Sequence, residues 1–179
     1  MKIEVGMHSL SEAVMEPAAM RQVLRGVAAT VHVVAMKRED AAFFATTATA
    51  VVSVCLEPPM LALCLNTTGA LAKELQEGML FSVSALTRDQ MAVAQDCAGG
   101  TPHQDREKFF EPAESTGAPV VSGAQASFAC RCTVIVPQGT HVVVFGTVLE
   151  AARRECVEPL IYLDARYGGF SPLDEFRPG

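Results

Sequence analysis

The sequence predicts a mainly β protein, an antiparallel barrel or sandwich with short α-helices at its rims. Apolar or alternating runs of strand length are separated by turn residues along most of the chain. The pattern gives about six or seven strands and three short helices, without the regular strand–helix alternation of a doubly wound parallel sheet. No G-x-G-x-x-G motif follows a strand and no P-loop occurs, so a nucleotide would not bind in a Rossmann-type site.

The N-terminal part of this pattern is a helix followed by a hairpin. Proline suits the first helical turn, and apolar residues recur at helical spacing after Pro17: Met20, Val23, Leu24 and Val27. Residues 30–36 are rich in β-branched side chains, and a second apolar run starts at Phe43 after the charged turn 37–40. These two runs are predicted to pair.

The remaining elements follow from periodicity and capping residues. In chain order they are strand 60–65, a helix capped by Thr67 or Thr68 and closed by Gly78, strand 79–86, a helix entered through the capping box Thr87–Gln90 and stopped at Gly99–Gly100, and strands 126–136, 141–152 and 160–163. Residues 100–124 are rich in glycine, proline and charge and are predicted to be irregular, either a functional cover or a mobile excursion.

Composition limits the class of protein. Half of the 179 residues are apolar and 19% are charged, so we assign residues 17–179 to one domain and 1–16 to an N-terminal arm. A net charge of −6 argues against nucleic-acid and anionic-membrane partners. The sequence shows no secretory signal and no run long enough to span a bilayer, which predicts a cytoplasmic protein.

Six cysteines raise the question of bridges or metal. Disulfide frameworks belong to small secreted chains, and Cys130-x-Cys132 lacks the spacing of a zinc site. In a strand the two thiols would share one face. We therefore expect reduced structural cysteines and no metal site, with a redox switch at this pair as the weaker alternative.

The candidate ligand site is the stretch from Thr46 to Pro59. Small and hydroxyl side chains crowd between an apolar run and the Pro58-Pro59 break. Small side chains let a ligand approach the backbone, and hydroxyl and N–H groups can hydrogen-bond to it. The alternative is an ordinary β-rich turn.

A second candidate lies at Asn66–Gly69, where a strand ends and a helix begins. Free N–H groups at a helix start can hold a phosphate. The alternative is that the threonines only cap the helix.

Several separated motifs agree in order with one family. They are Arg21, T-A-T-A-V-V-S-V at 47–54 with Pro58-Pro59, L-C-L-N at 63–66, A-G at 98–99 with Lys108-Phe109, G-A-P-V at 117–120, S-F-A-C-R at 127–131, G-T-H at 139–141, and P-L-I-Y at 159–162 with Tyr167. With these motifs the chain resembles the flavin reductase-like proteins of the FMN-binding split-barrel class, especially the small reductase components of two-component flavin-dependent monooxygenases.

The resemblance implies a Greek-key split β-barrel that forms a homodimer and binds FMN or FAD near the subunit interface. It implies NAD(P)H:flavin oxidoreductase activity, with NADH or NADPH as the electron donor and reduced flavin passed to a partner monooxygenase. Hydride transfer belongs to the cofactors, so the absence of a catalytic triad or carboxylate pair does not argue against an enzyme.

The resemblance also implies roles for individual residues. The flavin ring and ribityl chain would contact Thr47, Ala48, Thr49, Ala50, Ser53 and Cys55. The phosphate side would be formed by Asn66, Thr67, Thr68 and Lys73, with His141 near the nicotinamide and Tyr167 near the ring system. Simpler alternatives are a surface histidine at His141, a solvated charge at Lys73 and a core or interface aromatic at Tyr167. His32 and His103 are interpreted as structural or surface groups.

Other functions remain open at this point. The barrel could bind or shuttle flavin without NAD(P)H activity, or use pyridoxal phosphate or haem like some related oxidases. A pure interaction scaffold is disfavoured by the small-residue stretch. The cluster of arginines expected around pyridoxal phosphate and a haem ligand pair are both missing from the sequence pattern.

Overall fold

The computed structural model describes residues 15–99, 101–155 and 158–172. The helices within these ranges are α1 (Pro17–Leu24), α2 (Ala70–Glu74), α3 (Met91–Ala98) and α4 (His103–Arg106). The strands are β1 (Ala29–Thr30), β2 (His32–Lys37), β3 (Phe43–Ala48), β4 (Val51–Leu56), β5 (Pro59–Asn66), β6 (Leu80–Ala85), β7 (Phe110–Pro112), β8 (Pro119–Val121), β9 (Ala126–Gln138), β10 (His141–Arg153), β11 (Ile161–Leu163) and β12 (Arg166–Gly168).

Seven strands form one antiparallel sheet in the order β3-β2-β6-β9-β10-β5-β4. Strand β6 and the β9–β10 hairpin lie between the hairpins β2–β3 and β4–β5, which is a Greek-key arrangement. The sheet curls into a barrel that is split between its edge strands, β3 and β4. The predicted Greek-key split barrel is confirmed, and the sandwich alternative is excluded.

The barrel interior is a single apolar cluster. It draws side chains from six strands of the sheet and closes with α2, as its members show: Val34, Met36, Ala48, Leu61, Leu63, Leu65, Leu71, Leu75, Phe81, Val83, Cys130, Cys132 and Val144. Gly146 of β10 is required here, because a Cβ at this position would lie 2.5 Å from the Phe81 ring. Strand β10 can therefore pass close to β6 and β9.

A second apolar cluster lies on the opposite face of β2 and β3. Alternate residues of these strands, including Val33 and Ala45, pack there against α3 and the segment around β8. Residues of a strand alternate between its two faces, so β3 contributes to both clusters. Because both faces of β3 pack against apolar clusters, the strand is held in place although it pairs with β2 along one edge only.

The other strands form two small sheets. Strand β7 pairs with β8, and β11 pairs with both β1 and β12. The prediction that residues 100–124 are irregular is therefore wrong in part, because the segment contains α4, β7 and β8. Apolar contacts formed far along the chain, such as Phe43 against Phe110 at 4.9 Å between ring centroids, order these short elements despite their polar sequence.

Most boundaries agree with the sequence pattern, and one cap does not. The hairpin β2–β3 and the capping interaction at Thr87, whose N–H donates to Gln90 Oε1 at 3.1 Å, are confirmed. Helix α2 starts at Ala70 with Gly69 as its N-cap and ends at Glu74. The predicted caps Thr67 and Thr68 are wrong because Asn66 holds Thr68 in the preceding turn.

The predicted arm 1–16 lies outside the described residues except for Met15 and Glu16. None of the helices in the described part of the chain is long and apolar enough to cross a membrane. Within the same ranges, no cluster of three or more His, Cys, Asp or Glu side chains is arranged to hold a metal ion.

Candidate functional site

A cavity of about 430 Å³ opens at the split of the barrel, beside the free edge of β3. Its size is within the usual range of small-molecule sites. The lining comes from four places in the chain: Thr46–Ala50, Cys64–Asn66 with Gly69–Ala72, Cys97–Gly99 with His103 and Arg106, and His141. The cavity thus joins both stretches that the sequence singled out.

The edge strand β3 offers peptide groups to this cavity. Ala45 N–H donates to His103 Nδ1 at 3.2 Å, and Ala45 C=O accepts from Arg106 Nη1 at 2.6 Å. Both groups therefore point away from β2. In an antiparallel ladder the outward direction recurs every second residue, so the N–H and C=O of Thr47 also face the free edge, where a flat ligand can bind to them.

The Thr47 side chain has a different task from the one predicted. Its hydroxyl donates to Ala94 C=O at 2.6 Å and so ties β3 to α3. The hydroxyl hydrogen is committed to this bond, and Thr47 can serve a ligand as a donor through its backbone. Thr49 and Ala50 form the exposed turn that leads into β4.

Asn66 and His141 form the opposite wall. They are register partners at the ends of β5 and β10, and both line the cavity. Asn66 Oδ1 accepts from Thr68 N–H at 2.9 Å and from the Thr68 hydroxyl at 2.8 Å. His141 is exposed, with Nδ1 3.0 Å from the Thr140 hydroxyl.

Arg106 is the charged group that the sequence did not single out. It is only 5% exposed and donates to carbonyl oxygens of Thr101, Ala45 and Cys97. Among the described residues it makes no salt bridge within 4.0 Å. A buried guanidinium without a carboxylate partner gives the cavity wall a positive potential, which favours an electron-rich or anionic ligand.

His103 also lines the cavity, so its interpretation as a structural or surface group was incomplete. Its ring lies 5.6 Å from the Phe44 ring, and its Nδ1 is 3.2 Å from Arg106 Nη1. Burial and the Arg106 charge hold the pKa of His103 below its usual value. Pro102, followed by polar residues, is the local signal that could have indicated this short helix.

Burial favours the protonated form of three thiols in and near the site, those of Cys97, Cys130 and Cys132. Burial raises the pKa of Cys97, on the cavity wall, to about 11. It raises the pKa of Cys130 to about 12 and that of Cys132 to about 11. Both belong to the barrel core, as their shared strand face predicted. High thiol pKa values disfavour the thiolate that redox exchange needs.

The structure brings together only part of the predicted set. Thr47, Ala48, Thr49, Ala50, Asn66 and His141 line the cavity, whereas Ser53, Cys55, Thr67, Thr68, Lys73 and Tyr167 do not. Thr67 donates to Thr140 C=O at 3.0 Å. Tyr167 packs edge-on against Tyr162 at 5.3 Å, on the small three-stranded sheet.

The cavity suits a flavin by its donor set and shape. A flat ring with carbonyl and N–H groups on one edge matches the outward peptide groups of β3. The small side chains of Ala48, Ala50 and Gly69 leave room beside the backbone. The Arg106 charge supplies the positive potential that such an electron acceptor needs.

Comparison with known proteins agrees with this geometry. The family model of the flavin reductase-like domain matches residues 24–171. A Rhizobium protein named as the reductase component of FADH(2)-dependent resorcinol hydroxylase is 36% identical over 154 residues, which cover 85% of this chain and 86% of the relative. A Cronobacter sakazakii protein named FMN reductase (NADH) RutF is 32% identical, over 87% of this chain and 94% of the relative.

Solved structures share the fold. BorF, described as the flavin reductase component of a bacterial two-component tryptophan halogenase, superposes with a TM-score of 0.80 at 28% identity, over 88% of this chain and 99% of BorF. The NADH:FAD oxidoreductase SgcE6 of Streptomyces globisporus, in complex with NAD and FAD fragments, gives 0.81 at 25% identity, over 91% and 99%. The chain belongs to the flavin reductase-like family.

Proposed function

We propose that this chain is an NAD(P)H-dependent flavin reductase that transfers hydride from NADH or NADPH to FMN or FAD. The observation that carries the proposal is the cavity at the free edge of β3, where peptide groups meet the buried Arg106 guanidinium, which forms no salt bridge with any described residue. Relatives over most of the chain are named as NADH-dependent FMN reductase or as reductase component of an FADH(2)-dependent hydroxylase.

The flavin would supply the hydride acceptor, and the protein would supply its position. The outward N–H and C=O of Thr47 would orient the ring edge, and the buried Arg106 charge, held at Ala45 C=O, would favour electron density on it. The exposed turn Thr49–Ala50 and the opposite wall at Asn66 would bound the ring and its side chain. We assign the phosphate side to Asn66, which lines the cavity and accepts from Thr68 in the adjoining turn.

We further propose that His141 contacts the nicotinamide. It is exposed at the cavity wall and is held by Thr140 rather than by the core. His141→Ala should therefore raise the KM for NADH or NADPH or slow hydride transfer, measured by stopped-flow flavin bleaching, while the Kd for flavin stays within about twofold. Unchanged nicotinamide kinetics would contradict this role.

The reduced flavin is proposed to pass to a flavin-dependent monooxygenase. The Rhizobium relative is named as the reductase component of an FADH(2)-dependent hydroxylase, and that pairing of a reductase with a hydroxylase supports the proposal. BorF is described as the flavin reductase component of a two-component tryptophan halogenase. A halogenase and a hydroxylase in such systems would both use reduced flavin. Such a consumer needs only free reduced flavin at the cavity mouth.

The function is tested with the purified protein and added flavin. Oxidation of NADH and NADPH is followed at saturating FMN, FAD and riboflavin, together with the absorbance spectrum of the protein. We expect oxidation that depends on a flavin and on the intact cavity. Flavin binding without oxidation of either nicotinamide would favour the alternative, a flavin-binding or flavin-shuttling protein.

A homodimer is also proposed, because the monomer leaves apolar side chains in water on neighbouring elements. On β4, Val52, Val54 and Leu56 are 61%, 47% and 84% exposed, and α1 exposes Val23 and Leu24. A groove between α1 and Tyr162 shares Thr49 and Ala50 with the cavity. A second copy on this face would cover the apolar residues and lie against the Thr49–Ala50 turn.

A further inference from the structure

The His103 ring is fixed more tightly than a cavity-lining side chain needs to be. One side packs near the Phe44 ring, with centroids 5.6 Å apart. Its Nδ1 meets Ala45 N–H at 3.2 Å and Arg106 Nη1 at 3.2 Å. Residues 44 and 45 belong to β3 and residue 106 to α4, so contacts from two elements set the ring plane.

These contacts determine where the imidazole proton lies. A peptide N–H and a guanidinium N–H are donors without a lone pair, so neither can accept a hydrogen bond from Nδ1. We assign Nδ1 as the acceptor of the Ala45 N–H bond, so this nitrogen carries no proton. The remaining proton of the neutral ring must be on Nε2.

The surroundings keep the ring neutral. Burial and the Arg106 charge lower the pKa of His103. A second proton could be added only at Nδ1, where it would face the Ala45 N–H and the Arg106 guanidinium. His141, by contrast, has Nδ1 against a hydroxyl that can donate or accept, so its tautomer is free.

The proton on Nε2 is left for a ligand. Across the described ranges, His103 hydrogen-bonds only through Nδ1. Nε2 is also absent from the buried polar atoms that lack a partner in those ranges, where only His32 Nδ1 occurs. Because the side chain lines the cavity, Nε2 is an accessible donor of fixed direction.

We propose that His103 is a flavin-binding residue that donates Nε2–H to an acceptor oxygen of the flavin, with Ala45 and Arg106 as positioning groups for its ring. This inference rests on the proposed function. It adds a donor from α4 to those of β3, so the flavin is held from two elements. The acceptor oxygen is either on the ring and ribityl portion or on the phosphate.

Two substitutions separate the two nitrogens of the ring. In His103→Asn the amide oxygen can take the place of Nδ1 and accept from Ala45 N–H, but no donor reaches the Nε2 position. In His103→Gln the longer amide can return a donor to that position. Gln104→Asn, at an exposed position of the same helix, is the matched control.

The affinity for FMN and riboflavin is measured by quenching of flavin fluorescence, without nicotinamide. We expect His103→Asn to raise the Kd for FMN about five- to tenfold, with His103→Gln recovering most of the affinity and the control unchanged. Equal losses with riboflavin and FMN place the acceptor on the ring or ribityl chain, and a loss with FMN alone places it on the phosphate.

The tautomer is read independently from ¹⁵N NMR spectra of the histidines in the full chain. We expect an unprotonated Nδ1 and a protonated Nε2 for His103 at neutral pH, with the Nε2–H resonance moving when FMN is added. A protonated Nδ1, unchanged affinity in His103→Asn, or equal losses in the Asn and Gln variants would overturn the inference. If the wild type binds no flavin, the proposed function itself fails.

Discussion

Arg106 is the residue on which the geometry of the site depends most. Its guanidinium joins three backbone carbonyls, those of Thr101, Ala45 and Cys97, that belong to different elements or turns. The planar guanidinium carries five N–H donors in a fixed fork, so it reaches several acceptors at once. The same contacts place its charge beside the cavity, so this side chain acts on both stability and ligand affinity.

Replacing Arg106 with leucine should therefore destabilise the fold. The change leaves buried carbonyls without a donor, and we expect the free energy of unfolding to fall by about 3 kcal/mol in urea titrations. Arg106→Lys keeps the charge but not the fork, so it should recover less than half of this loss.

Arg131 provides the control for that experiment. It is an exposed arginine that donates to one carbonyl, that of Gly78, at 2.9 Å. Arg131→Leu should change the free energy of unfolding by about 0.5 kcal/mol or less. Similar losses in the two leucine variants would show that burial and multiple bonding at Arg106 do not matter.

Residue types predicted which stretch of the chain lines the cavity but not which of its atoms face it. Thr47 was singled out for its hydroxyl, yet that hydroxyl donates to Ala94 and the outward peptide groups face the cavity. Hydroxyl-rich composition cannot distinguish these uses, because strand register decides which groups point outward. Pro102 could have indicated the helix that carries His103 and Arg106, but not their contacts with β3, which join residues about 60 positions apart.

At the scale of elements, the segment 100–124 shows how tertiary contacts override local composition. Its glycine, proline and charge predicted an irregular loop, but β7 and β8 form where Phe110 packs against Phe43. Between these strands, the turn around Thr116 is fastened to the long strand β10. Glu150 Oε2 accepts from Ser115 N–H at 3.1 Å, Thr116 N–H at 3.0 Å and the Thr116 hydroxyl at 3.0 Å.

This fastening should depend on pH. Desolvation alone would raise the pKa of Glu150, but hydrogen bonds from Thr116, Ser115 and Glu114 hold it below its usual value. A depressed carboxyl pKa stabilises the fold above the unfolded-state pKa, near 4.5, and the stabilisation is lost as pH falls through the folded-state value.

We therefore expect Glu150→Ala to increase hydrogen exchange in residues 113–118 at pH 7. The thermal midpoint of the wild type should drop towards that of the variant as the pH is lowered below about 4.5. Glu111→Ala, at an exposed position of β7, is the control and should leave the exchange of the turn unchanged. A constant gap between wild type and Glu150→Ala from pH 7 to pH 3 would contradict this account.

At the scale of the whole molecule, the sequence predicted the fold class, and the family resemblance implied the topology. Periodicity identifies a strand such as β6, but it does not reveal that β6 lies between β2 and β9. The cavity depends on that order, because only a sheet with β3 at one end has a free edge at the split. Local pattern carries no information about such pairings.

The exposed face of β4 leads to the prediction for the assembled molecule. Leu56 is 84% exposed on an edge strand, which in a lone monomer would invite aggregation. If a second copy covers this face, Leu56→Asp places a charge in the interface and should convert the protein to a monomer in light-scattering chromatography.

The same variant should weaken flavin binding, because the groove beside α1 shares Thr49 and Ala50 with the cavity. Without the partner, that turn loses a neighbour that would restrict it, and we expect the Kd for FMN to rise about tenfold. Val134→Asp, which replaces an apolar residue 43% exposed on β9, is the control and should remain a dimer with unchanged affinity.

A monomeric wild type, or a Leu56→Asp monomer that binds FMN normally, would refute the link between dimer and site. Loss of both properties together, with the fold intact by circular dichroism, would show that a second copy of the chain supports the flavin site through the Thr49–Ala50 turn.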